Sequence, residues 1–176
     1  MRRNADNFIS CFFSFIHPLF PILHRPSFLH QYELWRARED GSNKCGVLPN
    51  LDEAIFIASL NLVFALGCQF SDLIAPADKP SLADDFYQRS RQLLLFEILD
   101  STSLSLVQML LLTGVYLQST QHANRCWNTV GLAIRVAQSL GLNVHDSGRS
   151  PSSQLEREMR RRVWHTCVNL DRSDRS

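Results

Sequence analysis

The strongest constraint in this sequence is the spacing of its apolar residues, which recur at three- and four-residue steps in one segment after another. The clearest case is a stripe formed by Leu155, Met159, Val163, Cys167 and Leu170. This spacing places side chains on one face of an α-helix. Few stretches alternate apolar and polar residues as a strand does. The sequence therefore predicts an all-α fold, a bundle of about seven helices.

Prolines, glycines and capping residues divide the chain into helices and loops. We expect helices at 5–16, 27–38, 51–70, 82–99, 104–119, 124–140 and 153–171. The residues expected to cap them at the N-terminus are Ser27, Asn50, Ser81 with Asp84, and Ser103 or Ser105. Gly141 is expected to end the sixth helix in the left-handed conformation. Helix 51–70 is apolar on most faces and should be the central buried helix, whereas three prolines keep 17–26 extended or turning.

Length and charge narrow the class of protein. The chain has 176 residues, which fits one domain at roughly 100–200 residues per domain. Its 18 Lys and Arg against 17 Asp and Glu give a net charge of +1, which argues against a strongly basic nucleic-acid binder. No apolar run reaches the roughly 18 residues of a spanning helix, and polar residues after Arg2 and Arg3 argue against a signal peptide. We therefore expect a globular domain that does not engage a membrane.

Cysteines and histidines give no signature of a metal site or an enzyme. The five cysteines are too widely spaced for a disulfide framework or a zinc motif, which favours a reducing, intracellular compartment. His17, His24 and His30 lie near Cys11 but match no common ligand spacing. Phosphate-binding loops and the nucleophile elbow are absent. We expect no cofactor, no metal, no catalytic residue and no enzyme, and a Cys/His hydrolase stays open as an alternative because such partners can be distant in sequence.

The last predicted helix carries four arginines around two glutamates. The i,i+4 ion pairs predicted there are Glu156–Arg160 and Glu158–Arg162. Each pair contributes about 0.2–0.5 kcal/mol. Arg157 and Arg161 are then left without a partner in the same helix. We interpret them as part of a charged helix face, with contact to an anion or an acidic partner as the alternative.

Two glycines and several aromatic residues suggest where helices cross. Gly114 and Gly131 lie inside predicted helices, where glycine costs about 1 kcal/mol relative to alanine. We favour a close helix crossing at Gly131, because Trp127 lies one turn away and needs room. Trp127 and Trp164 are predicted to supply large buried areas in the core. The phenylalanines predicted to pack against the bundle are Phe12, Phe15 and Phe20.

Four segments of the chain share an order and spacing with a known family. They are the Pro-punctuated segment 12–29, the Gln-containing helix 107–112, the helix 127–142 and the Arg-rich helix 158–172. Together they resemble the fungal-specific transcription factor domain, the helical regulatory region of binuclear-zinc-cluster transcription regulators. The matching residues are His17, Pro18, Pro21, His24, Arg25, Pro26, Phe28, Gln108, Trp127, Gly131, Arg135, Gly141, Arg161, Arg162, Trp164, Asp171 and Arg172. The resemblance covers nearly all of residues 1–176.

The resemblance implies a regulatory domain, partial at its C-terminus, that controls DNA-templated transcription in the nucleus. Its effector would be a coregulator protein or a small molecule, acting by a population shift, and a homodimer stays open. DNA would be bound only through the family's zinc cluster, which this chain lacks. The matching residues are interpreted as scaffold, with Arg25, Arg135 and Arg161 bridging helices to carboxylates such as Asp171. Because the family continues beyond Arg172, uncovered apolar surface is expected. The alternative function is a helical protein–protein scaffold without a transcriptional role.

Overall fold

The computed structural model describes residues 2–40, 50–92, 102–120, 122–144 and 153–173. Within them the chain forms seven α-helices and no strand, which confirms the all-α prediction. The α-helices are α1 (Arg2–Cys11), α2 (Arg25–Asp40), α3 (Leu51–Gly67), α4 (Lys79–Gln92), α5 (Leu104–Ser119), α6 (Ala123–Ser139) and α7 (Gln154–Ser173). A π-helical turn (Phe12–Ile16) follows α1 and a 3₁₀ turn (Cys68–Phe70) follows α3.

Helices α3 and α5 form the centre of the core. Helix α3 packs against α1, α4 and α5, and α5 packs in turn against α6 and α7. The segment Leu51–Phe70 has a mean hydropathy of 1.7, so by length and composition it could cross a membrane, and the expectation that no segment could do so is wrong. It is nevertheless 72% buried inside the fold. It is therefore the central buried helix that the sequence predicts.

Helix ends with strong local signals lie where the sequence places them. The Asn50 side chain accepts a hydrogen bond from the Glu53 N–H at 2.8 Å, and Ser103 accepts one from the Leu106 N–H at 3.1 Å. Gly141 adopts a φ of +68° directly after α6, as predicted. In each case the capping interaction involves residues within one turn, so sequence alone defines it.

Two predicted N-caps are wrong because a preceding residue begins the helix earlier. Ser27 lies inside α2, where its N–H points to the His24 ring nitrogen Nδ1 at 3.4 Å. Helix α4 begins at Lys79, and the Asp78 carbonyl accepts the Leu82 N–H at 3.0 Å, so Ser81 lies within its first turn. The part of the predicted helix 82–99 beyond residue 92 lies outside the described residues.

The predicted first helix changes geometry at Phe12. The His17 N–H donates to the Phe12 carbonyl at 3.0 Å, the wider spacing of a π-helix. Phe12 and Phe13 are consequently both buried, although they are adjacent in sequence. Phe15 is 53% exposed and stacks on Phe70, so its predicted place in the core is wrong.

Glycine allows close packing at two crossings, and neither is the predicted one. A Cβ atom at Gly67 would overlap the carbonyl oxygen of Phe8 and lie 2.8 Å from its carbonyl carbon. A Cβ atom at Gly114 would lie 3.0 Å from Val130 Cγ2, where α5 crosses α6. Gly131 has no neighbouring helix at such a distance. The close approaches are therefore those of α1 to α3 and of α5 to α6.

Candidate interaction site

Two family-matching residues hold the Pro-punctuated segment in place: Gln108 ties it to α5, and His17 makes a contact within the segment. Gln108 Nε2 donates to the carbonyl oxygen of Ile22 at 2.7 Å, and Ile22 is fully buried. His17 Nε2 lies 2.7 Å from the carbonyl oxygen of Leu23. A segment with three prolines has few N–H groups for helix or sheet hydrogen bonds, so side chains satisfy its carbonyls instead. We call this set of contacts the segment clamp.

The Gln108→Ala substitution is expected to lower the free energy of unfolding by about 1–3 kcal/mol, because it leaves the Ile22 carbonyl buried without its hydrogen bond. Chemical denaturation of the whole chain measures this change. Gln118→Ala, at an exposed position of the same helix, is the matched control and should change stability by less than about 0.5 kcal/mol. Equal effects of the two substitutions would show that the segment clamp does not stabilise the fold.

Arg25 contacts an aromatic ring where a carboxylate partner was expected. Its guanidinium carbon lies 5.5 Å from the centroid of the Phe13 ring. The Phe13 ring packs edge-on against Phe28, which is buried. The expectation that Arg25 bridges helices through a carboxylate is not what the structure shows. Of the segment's prolines, Pro18 and Pro26 are exposed and Pro21 is half-buried.

The arginines of α7 pair differently from the prediction. Arg161 makes two hydrogen bonds to the Glu158 carboxylate, at 3.0 and 2.9 Å, and Arg162 makes one at 2.7 Å. The Glu158–Arg162 pair is confirmed, but Arg161 has a partner in its own helix. Arg160 donates instead to the Leu140 carbonyl at 2.8 Å, so it caps the C-terminal end of α6 rather than pairing with Glu156. Long arginine side chains reach either i−3, i−4 or a neighbouring helix, and helical spacing alone does not choose among them.

Hydrogen bonds from Arg161 and then Arg162 lower the pKa of Glu158 from 4.5 to about 2. A depressed pKa in the folded state stabilises the fold above pH 4.5, and that contribution is lost as the pH falls towards 2. Glu158→Gln should therefore lower the denaturation midpoint at pH 7 and have a vanishing effect near pH 2. Glu156→Gln, on the same helix, should show no such convergence. A difference between wild type and Glu158→Gln that is constant with pH would contradict this account.

Three further family-matching residues lie on α7. The sequence predicted that Trp164 supplies a large buried area in the core; it is half-buried and packs against the core cluster. Asp171 is half-buried near the end of the helix, and Arg172 is exposed. Trp164 therefore helps to pack α7 against the core.

Trp127, by contrast, lies on the surface with 59% of its area exposed, so its predicted place in the core is wrong. The buried stripe of α6 consists of Cys126, Val130, Ala133 and Ala137. Trp127 is one residue, or about 100°, round the helix from that stripe. The three- and four-residue spacing that begins at Cys126 therefore identifies the buried face of α6. The size of the indole ring does not.

Three residues at successive turns form one exposed surface of α6. Trp127, Gly131 and Arg135 are four residues apart and lie on one face, which we call the Trp127 strip. A methyl group at Gly131 would meet only Arg135 Nη1, at 3.6 Å. Within the described residues, the predicted bridge from Arg135 to a carboxylate is not observed. Gly131 thus lies between an indole ring and a guanidinium group, and Arg135 Nη1 lies close beside it.

Arg135 gives the Trp127 strip its positive charge, whereas Arg125 precedes Trp127 by two residues and lies about 160° away round the helix. Helix α6 contains Arg125 and Arg135 and no Asp or Glu. Trp and Arg are the side chains most enriched among residues that dominate protein–protein binding energy. The arrangement can therefore hold an acidic partner by charge and anchor it by burial of the indole ring.

The described residues give no support for a metal site or an activated thiol. They contain no group of three or more His, Cys, Asp or Glu that could hold a metal ion, so the zinc cluster of the family does not fit this part of the chain. Among the described residues, Cys11, Cys68, Cys126 and Cys167 form no disulfide. Burial raises the pKa of Cys68 to about 11 and that of Cys167 to about 12. A reactive cysteine needs the opposite shift.

Comparison with known proteins assigns the fold to a family. The chain belongs to the fungal specific transcription factor domain family, whose model matches residues 9–174, which confirms the resemblance seen in the sequence. No solved structure matches the chain.

Curated relatives match almost the whole chain. It is 34% identical over 97% of its length to the sorbicillinoid biosynthetic cluster transcription factor sor3 of Hypocrea jecorina, of which it covers 25%. It is 32% identical, over 97% of its length, to sorbicillinoid biosynthetic cluster transcription factor 2 of Penicillium rubens, of which it covers 24%. Transcription regulator galc of Aspergillus niger is 28% identical over 95% of the chain, which covers 19% of that protein. The chain thus spans a quarter or less of the length of these relatives.

Proposed function

We propose that this chain is a regulatory domain of a fungal transcription regulator, acts in the nucleus, and binds a coregulator protein through the Trp127 strip. The observation that carries the proposal is the family match over residues 9–174, together with relatives named as transcription factors. Those relatives favour a regulator over an enzyme. They equally favour it over a helical scaffold without a transcriptional role.

The Trp127 strip supports a protein partner as the effector. The exposed Trp127 ring offers a large apolar area that a partner can bury. Arg135, in a helix without Asp or Glu, selects for acidic side chains on that partner. A groove of about 340 Å³ beside the start of α4 is near the lower end of the range for small-molecule sites. The exposed tryptophan therefore favours a coregulator protein as the partner of this strip.

Contact with DNA is not part of this proposal for the domain. Neutralising several phosphates needs a dense basic patch, and α6 offers two arginines. In the proposed regulator, DNA is bound by a zinc-cluster segment outside these residues. The helical domain then acts by population shift: a partner that prefers the state with the Trp127 strip displayed stabilises that state in proportion to its differential affinity.

A tethering experiment tests the proposed function. The chain is fused to a heterologous DNA-binding domain in a fungal host, and a reporter gene carries the cognate sites. We expect nuclear accumulation and a several-fold change in reporter output relative to the DNA-binding domain alone. Unchanged output from a fusion that is expressed at the same level and melts cooperatively would contradict a transcriptional role.

A further inference from the structure

A second exposed apolar surface lies where the Phe12–Ile16 turn meets the Cys68–Phe70 turn. The rings of Phe15 and Phe70 stack with centroids 5.2 Å apart and planes 17° apart. They stack on each other although 53% of Phe15 and 44% of Phe70 remain exposed. Leu73, which follows Phe70 by three residues, is 41% exposed. Exposed aromatic residues clustered in this way mark interaction surfaces more often than scattered single ones do.

Leu73 also lines a groove that extends this surface towards α4. The groove has a volume of about 340 Å³. Its apolar lining comes from Leu73, Ile74, Ala75 and Leu82, and its carboxylates are Asp78 and Asp85. The apolar floor and the two carboxylates together form an amphipathic groove. We call Phe15, Phe70, Leu73 and the groove the Phe70 surface.

The loop that carries Phe70 and Leu73 is held in place by hydrogen bonds. The hydroxyl of Ser71, which is fully buried, donates to the Asn7 side chain at 2.5 Å. The same hydroxyl accepts the Leu73 N–H at 3.1 Å. These contacts tie the loop to α1. A surface fixed before binding loses little conformational entropy when a partner docks.

The charge of the Phe70 surface is negative. Residues 71–85 contain four Asp and one Lys. The Lys79 ammonium group donates to the Gln69 carbonyl at 3.2 Å, which holds it at the 3₁₀ turn. Asp72, Asp78 and Asp85 are exposed. A partner that fills the groove therefore meets carboxylates at its edge.

We propose that the Phe70 surface docks a basic amphipathic helix of a partner protein. The apolar residues of that helix, at i, i+3 or i+4, and i+7, would lie in the groove and against the Phe15–Phe70 stack. Its Lys or Arg residues would face Asp78 and Asp85. This surface differs from the Trp127 strip in both position and charge, so the inference does not rest on the proposed function.

A selection from a random peptide library tests the charge and shape of the partner. The whole chain is immobilised, peptides are selected for binding, and the affinities of the recovered peptides are measured by fluorescence anisotropy. We expect amphipathic peptides enriched in Lys and Arg. Recovery of acidic or uncharged peptides, or no enrichment at all, would overturn the proposal.

Variants then place the binding on this surface. Phe70→Ala should weaken the recovered peptides about tenfold or more. The double variant Asp78→Asn with Asp85→Asn should weaken them severalfold and flatten the dependence of binding on salt, since removing the carboxylates leaves the apolar contacts. Leu34→Ala and Asp52→Asn, at exposed positions of α2 and α3, are the matched controls and should have no effect. Denaturation midpoints check that every variant is folded.

A second copy of this chain is the other partner that could cover the Phe70 surface, and a further measurement tests it. The α6 helix of a second copy is itself basic and carries an exposed tryptophan. Sedimentation velocity is measured over a range of concentrations for the wild type and for Phe70→Ala. We expect that any dimer of the wild type persists in Phe70→Ala. A dimer that this substitution disrupts, or peptide affinities that the Phe70 and aspartate variants leave unchanged, would overturn the proposal of a partner helix.

Discussion

The Gly67→Ala substitution is expected to lower the free energy of unfolding by about 3 kcal/mol, among the larger costs of adding a methyl group to a packed core. The new Cβ atom would overlap the carbonyl oxygen of Phe8 and lie 3.2 Å from its Cα. These are backbone atoms of a neighbouring helix, so no side-chain rotation relieves the overlap. Either α1 moves away from α3 or the hydrogen bonds near Phe8 distort. Chemical denaturation of the whole chain, monitored by helical circular dichroism, measures the change.

Gly131→Ala is the matched control because the same chemical change has the opposite expected sign. Gly131 also lies inside a helix, but its Cβ atom would meet only Arg135 Nη1 at ordinary contact distance. Replacing glycine by alanine in a helix with room for the methyl group stabilises it by up to about 1 kcal/mol. If both substitutions destabilise the chain equally, the close approach of α1 to α3 is not as described.

Trp127→Ala is expected to leave the stability of the chain within about 0.5 kcal/mol of the wild type, because the ring is mostly exposed. Trp164→Ala should instead cost about 2 kcal/mol or more, since Trp164 packs against the core cluster. The two substitutions remove the same side chain from neighbouring helices. Denaturation midpoints of the two variants under the same conditions measure this difference. A large loss of stability for Trp127→Ala would show that Trp127 belongs to the core.

The Trp127→Ala substitution should nevertheless weaken partner binding strongly. An exposed tryptophan at the centre of an interface contributes about 2 kcal/mol or more, roughly 30-fold in affinity. As a separate substitution, Arg135→Ala should also weaken binding and should make the affinity less sensitive to salt. Trp127→Ala should therefore lower the binding affinity without lowering the stability of the fold. Replacing a purely structural tryptophan would lower the stability.

Sequence predicted the fold where the determining interactions are local. The Asn50 and Ser103 caps and the left-handed Gly141 involve residues within one helical turn, so their chemistry is visible in the sequence. Helix α3 was placed at the centre because its apolar residues cover most of its faces, and the structure buries them. The His24 start was missed because serine is the stronger statistical cap, and the Asp78 start was missed because Asp and Ser are comparably strong caps.

The candidate site was less predictable because it depends on which face of a helix is covered. Trp127 was assigned to the core by its size, although Cys126, Val130 and Ala133 already define the buried stripe of α6. Gly67 gave no signal at all, since its neighbour Phe8 is 59 residues away in sequence. Contacts between distant segments depend on the packing of whole helices, which spacing within one helix does not reveal.

The transcriptional output of the tethered chain with Trp127 replaced by alanine tests the central claim most directly. Leu34→Ala, another exposed apolar position on a different helix, serves as the control, and protein levels and melting temperatures are matched. The account predicts that Trp127→Ala returns reporter output to that of the DNA-binding domain alone while Leu34→Ala retains the wild-type output. Wild-type output from a folded Trp127→Ala fusion would contradict the assignment of the Trp127 strip as the surface through which this domain regulates transcription.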